Sequence, residues 1–129
     1  MPAPQFEFLA HETLREGQVR MIRDGNEVLE NNGFLFAAAP TGIGKTVAAL
    51  SSALFAAKNH PEGEKKLLFL TGRQSQHRIV VDSVRKINQR LGSAESIKLV
   101  DMIGRESMCI EVNRITGKCS CEADVPEDM

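Results

Sequence analysis

The chain has no apolar run approaching the roughly 20 residues that a membrane-spanning helix requires. Its start, MPAPQFEF, lacks the basic residues and the apolar block of a secretory signal. Both absences lead to the expectation of a soluble, intracellular protein with no membrane partner. Cysteine is scarce as well: there are three, an odd number, and two of them sit one residue apart in CSC. That pattern is poor geometry for the disulfide framework of a secreted domain and leaves metal ligation or idle thiols. The chain is also short. Its 129 residues suffice for one modest core and not for a two-domain machine.

Charge of one sign is missing only on average. The 16 basic and 17 acidic groups are distributed as 5 against 8 over residues 1–64, 9 against 3 over 65–105, and 2 against 6 over 106–129. The middle third is therefore basic. An excess of that size attracts phosphate or solvates a helix face, and its position relative to other motifs has to decide.

Hydrophobic spacing predicts three helices. Val19, Ile22 and Leu29 fall at helical intervals over residues 17–31, before Asn31, Asn32 and Gly33 end the pattern. Val47, Leu50, Leu54 and Ala57 repeat at three and four residues and stop at Asn59, His60 and Pro61. Val80, Val84, Ile87 and Leu91 line a third helix, with Ser75 as expected N-cap, Asp82 and Lys86 as an i,i+4 pair, and Gly92 as the stop. Between them, residues 34–38, 67–70 and 97–100 are apolar runs without polar alternation, which predicts strands buried on both faces. Buried strands alternating with amphipathic helices predict an α/β fold with a parallel sheet and a ligand site at one sheet edge. After Gly104 the periodicity fades, and the tail CEADVPEDM is expected to be loosely held unless something ligates it.

Residues 39–46, APTGIGKT, carry the strongest chemical signal. The TG.GKT positions match a Walker A loop of the helicase type, which chance produces about once per million windows at ordinary residue frequencies, so coincidence is a poor explanation. Gly42 and Gly44 let the backbone fold closely around an anion, with Ile43 between them. Lys45 supplies charge to the phosphates, Thr46 offers a hydroxyl to Mg²⁺, and Thr41 shapes the loop or touches the γ-phosphate. Ala39 occupies the first glycine slot of the general pattern.

REGQ at 15–18, APTGIGKT at 39–46, LTGRQSQ at 70–76 and GRESMC at 104–109 stand in the order and approximate spacing of XPD-type iron-sulfur DNA helicases. The sequence resembles that family from about residue 14 to residue 121. The resemblance implies the N-terminal part of a RecA-like first motor domain over residues 1–105, and over 106–129 the start of an iron-sulfur region that the chain does not complete. Family members are superfamily 2 helicases that move 5′ to 3′ on single-stranded DNA, among them excision-repair helicases and DinG relatives. The implied partners are single-stranded DNA and the remainder of the helicase chain with its second motor domain. The implied location is cytoplasmic in a prokaryote or nuclear in a eukaryote.

By the same resemblance, Arg15 and Gln18 belong to the nucleotide site, Gln18 as the residue that recognises adenine, its amide able both to donate and to accept. The bland alternative for Gln18 is an exposed helix residue. Arg73 and Gln76 fall in the segment resembling motif Ia, beside the DNA backbone, and the basic middle third coincides with it. Cys109 has the spacing of the family's first 4Fe-4S ligand, and Cys119 and Cys121 stand for the second and third. The usual spacing of that pair is two residues and a fourth cysteine completes the set, so the cluster implied here is incomplete; zinc and idle thiols are the alternatives.

No DExH or DExD box follows the loop. Mg²⁺ therefore lacks its carboxylate and the attacking water lacks an acid, so hydrolysis belongs to a longer protein. Two rivals stand beside the helicase: a small P-loop kinase, and a stand-alone P-loop nucleotide- or DNA-binding module.

Overall fold

In the computed structural model the described residues are 6–104, 108–113 and 115–116. The chain divides into two compact units, Met1–Leu99 and Val100–Met129. The first contains helices α1 (Glu16–Glu30), α2 (Lys45–Lys58) and α3 (Gln74–Leu91), followed by a short 3-10 turn at Ser93–Glu95.

The helices follow from local pattern. α1 opens with the Arg15 N–H donating to Gln18 Oε1 at 3.0 Å and the Gln18 N–H donating to the Arg15 carbonyl at 2.9 Å. Ile22 is buried from it, whereas Leu29, expected on the same face, is exposed. α3 buries Val80, Val84 and Ile87 and ends at Gly92, whose φ of 81° lies where glycine is favoured. Two local expectations differ. The N-cap of α3 is Arg73, with no side-chain cap, instead of Ser75. Asp82 pairs with Arg78 at 3.9 Å and Arg85 at 3.3 Å instead of Lys86. A charged residue on an exposed face takes whichever opposite charge lies one turn away on either side, and these pairs contribute little. At the far end of α2, Lys58 bonds Glu64 at 2.6 Å. That bond raises the Lys58 pKa and lowers that of Glu64 from their ordinary values.

The expected α/β parallel sheet is not there. Among the described residues the first unit is three helices joined by irregular segments, with no strand and no sheet. Residues 34–38, 67–70 and 97–100 do not pair, and their apolar side chains stand largely in solvent: Phe34 is 88% and Phe36 94% exposed, against 39% for Leu35 between them. An apolar run reports what a segment would bury. A sheet also needs main-chain N–H and C=O groups aligned on a neighbouring strand, and that pairing is not encoded in the run itself. Ile97 shows the substitute: Asn88 of α3 donates Nδ2 to its carbonyl at 2.9 Å and accepts its N–H at 2.7 Å. A side-chain amide thus satisfies the groups that a partner strand would have taken.

Two apolar clusters hold the first unit. Phe8, Ala10, Leu50, Leu54, Val80, Val84 and Ile87 form the larger, and Leu9, Ile22 and Ala48 the smaller. Residues 8–10 therefore send alternate side chains into the two clusters, and Arg90 Nη1 donates to the Leu9 carbonyl at 3.5 Å. The α1–α2 seam is the more extensive helix contact. Within it a Cβ added at Gly25 would lie 2.7 Å from Ser52 Oγ and 2.9 Å from Ser52 Cβ. Ser52 is buried, and its hydroxyl donates to the carbonyls of Ala48 and Ala49, both at 3.2 Å. Gly25→Ala should raise helix propensity by about 1 kcal/mol yet destabilise on balance, because overpacking a buried seam costs about 1–3 kcal/mol. Chemical denaturation checks it, and a stabilised variant would mean that the seam is looser than described.

In the second unit, Asn113 Oδ1 accepts the N–H groups of Ile115 at 2.9 Å and Thr116 at 3.2 Å, a turn built on a side chain. The tail expected to be loosely held, residues 121–129, lies outside the described residues.

Candidate nucleotide-binding site

Residues 39–46 form the turn into α2. Gly42 and Gly44 both have φ of 84°, a left-handed conformation that other residues adopt only at a cost, and Gly44 is the N-cap of α2. No side chain caps α2. The N–H groups of its first turn, Lys45 and Thr46 included, have no intrahelical acceptor and carry the positive end of the helix dipole. The space where a Gly42 Cβ would sit is empty to 4 Å.

Lys45 folds back over this turn, its Nζ donating to the carbonyls of Ala39 at 2.6 Å and Pro40 at 2.9 Å. The ammonium is thus held across the start of the loop. An uncapped helix start, two left-handed glycines and a lysine beside them form a donor set suited to phosphate oxygens. Thr41 is exposed.

The residues of REGQ meet the same loop from α1. Arg15 Nη1 donates to the Gly42 carbonyl. Gln18, 7% exposed, donates Nε2 to the Gly44 carbonyl at 3.4 Å and accepts the Arg15 N–H at 3.0 Å. A Cβ at Gly17 would overlap Ile43, and one at Gly44 would overlap Gln18 Nε2. Arg15, Gly17 and Gln18 therefore brace Gly42, Ile43 and Gly44 in turn. Gln18 is a buried residue and not an exposed one, and its amide is engaged with the loop. No protein-family model and no solved structure matches the chain.

The two residues expected at DNA part company. Arg73 is exposed at the start of α3. Gln76, one turn on, faces the loop instead: its Oε1 accepts the Thr46 hydroxyl at 3.0 Å. That contact, and the packing of Gly17 on Ile43, escaped sequence reasoning. The signal available for both was the recurrence of short motifs in a fixed order, which marks residues without saying what they touch. A depression of about 570 Å³ lined by Glu16, Gly17, Val19, Arg20 and Arg23 contains none of residues 39–46. The site rests on loop geometry and not on concavity.

Cys109 is disulfide-bonded, an arrangement that differs from both a metal ligand and an idle thiol. Cys119 and Cys121 lie outside the described residues. Among the described residues no group of three or more His, Cys, Asp or Glu side chains converges.

Proposed function

We propose that the chain is the N-terminal portion of an ATP-dependent DNA helicase of the XPD-like type, binding ATP with Mg²⁺ through residues 39–46 and single-stranded DNA through the start of α3. The observation that carries the nucleotide half is the loop itself, with Gly42 and Gly44 left-handed at an uncapped helix start and Lys45 folded across it. Arg15 and Gln18 support it by bracing the loop's carbonyls. The DNA half rests on Arg73, exposed at the N-terminus of α3 within the basic third of the sequence.

In this reading Lys45 and the N–H groups at the start of α2 hold the phosphates, and Thr46 supplies a hydroxyl to the cation. Mg²⁺, when bound, offsets phosphate charge. Gln18 fixes the loop and keeps one amide N–H and one carbonyl lone pair for an adenine edge. The remainder of the helicase chain is the expected partner, and the solvent-exposed Phe34, Phe36, Leu68 and Leu70 favour a further protein layer over this unit. Among the described residues no helix is long and apolar enough to cross a membrane. The proposed location is cytoplasmic in a prokaryote or nuclear in a eukaryote.

The test is calorimetric binding of Mg-ATP and of single-stranded DNA, with small phosphate acceptors as the comparison. The 129-residue chain is expected to bind nucleotide and to show no ATPase activity above background, with or without DNA, because no DExH or DExD carboxylate for Mg²⁺ follows the loop in it. DNA-stimulated turnover by the chain alone would overturn this assignment in favour of a self-contained enzyme. Phosphoryl transfer to a small acceptor would make it a kinase.

A further inference from the structure

Thr46 and Gln76 are 30 residues apart, yet their side chains meet at 3.0 Å, both half-buried. The direction of this bond follows from the atoms. A glutamine carbonyl oxygen has no proton, so the threonine hydroxyl donates and Gln76 Oε1 accepts. A hydroxyl carries one proton and two lone pairs. With the proton committed to Gln76, both lone pairs of Thr46 Oγ1 remain for an acceptor-seeking partner such as a divalent cation. Without Gln76 the hydroxyl turns freely, and its proton competes for carbonyls of the preceding turn.

We propose that Gln76 is a positioning residue of the nucleotide site, holding the Thr46 hydroxyl in the rotamer that presents its lone pairs to Mg²⁺, and is not a DNA contact. The inference rests on the reading of residues 39–46 as a phosphate loop. It joins that loop to the first turn of α3, where Gln76 N–H donates to the Arg73 carbonyl at 3.0 Å. The Thr46–Gln76 bond thus links the cation position to the residue expected at DNA. Partners one step removed from a metal, which orient its ligands, commonly change metal affinity about 10–100-fold when removed.

The experiment measures ATP affinity by calorimetry in excess Mg²⁺ and in EDTA for the parent chain, Gln76→Ala, Gln76→Glu and Thr46→Ala, with single-stranded DNA affinity alongside and far-UV circular dichroism as the folding control. Gln76→Ala is expected to lose about tenfold in Mg-ATP affinity and nothing in EDTA. Gln76→Glu keeps the acceptor and should retain the parent's Mg²⁺ dependence. In a Thr46→Ala background Gln76→Ala should have no further effect. Equal losses with and without Mg²⁺, or a Gln76→Ala chain that binds Mg-ATP like the parent, would overturn the proposal while leaving the phosphate loop intact. A Gln76→Ala chain that loses DNA affinity and keeps Mg-ATP affinity would return Gln76 to the DNA interface. A parent chain that binds no ATP in either condition would sink the phosphate-loop reading and the proposal together.

Discussion

Replacing Lys45 by alanine should weaken Mg-ATP binding at least tenfold, with little change in fold stability. The affinity loss follows from the ammonium that Nζ holds at 2.6 Å and 2.9 Å from the carbonyls of Ala39 and Pro40, at the start of the loop. Charge-assisted hydrogen bonds contribute about 1.5–3 kcal/mol, and each 1.4 kcal/mol is about a factor of ten in affinity. The stability expectation follows from position. Lys45 is the first residue of α2, where a positive charge opposes the helix dipole by about 0.3–1 kcal/mol and alanine has the best helix propensity. Losing the two hydrogen bonds and losing the unfavourable charge act in opposite directions, so the midpoint of denaturation should barely move. Lys45 is thus poorly suited to helix stability and well suited to an anion. Unchanged ATP affinity in the folded variant would remove the phosphate-loop assignment.

A larger effect on the fold is expected from Gly44→Ala. At φ of 84° an L-residue pays about 1–2 kcal/mol in backbone strain, and here the new Cβ would also overlap Gln18 Nε2. Gln18 is buried, and both ends of its amide are engaged by Gly44 and Arg15, so it cannot swing aside without losing those bonds. Together these effects should lower stability by about 2–4 kcal/mol. Gly42→Ala isolates the first effect, since Gly42 has the same φ but nothing within 4 Å of its Cβ position; it should cost only the strain. Urea denaturation of the two variants, each also made with Gln18→Ala, reads the difference. The gap between Gly44→Ala and Gly42→Ala should close once Gln18 is truncated. Equal losses in the native background would show that α1 does not approach the loop.

The helices were legible because helical periodicity is a local property. Ile22 in α1, Leu50 and Leu54 in α2, and Val80, Val84 and Ile87 in α3 recur at three and four residues, and all six are buried. The turn at residues 39–46 was legible for a related reason: left-handed backbone at Gly42 and Gly44 is something glycine permits wherever it occurs. The sheet was misread because residues 34–38, 67–70 and 97–100 were judged by composition alone. Their side chains are apolar, but pairing is a relation between distant segments, and no residue within a run states its partner.

Sequence alone determined the three helices and the turn at residues 39–46, since each depends on residues within a few positions of one another. Tertiary structure alone decided that the runs stay unpaired, that residues 8–10 wedge between two clusters, and that Gln18 is engaged by the loop. It also turned Gln76 toward Thr46 and bonded Cys109 into a disulfide. The physical reason is range: helix hydrogen bonds and glycine torsions are set within one turn of chain, whereas contacts between residues tens of positions apart depend on how whole elements pack.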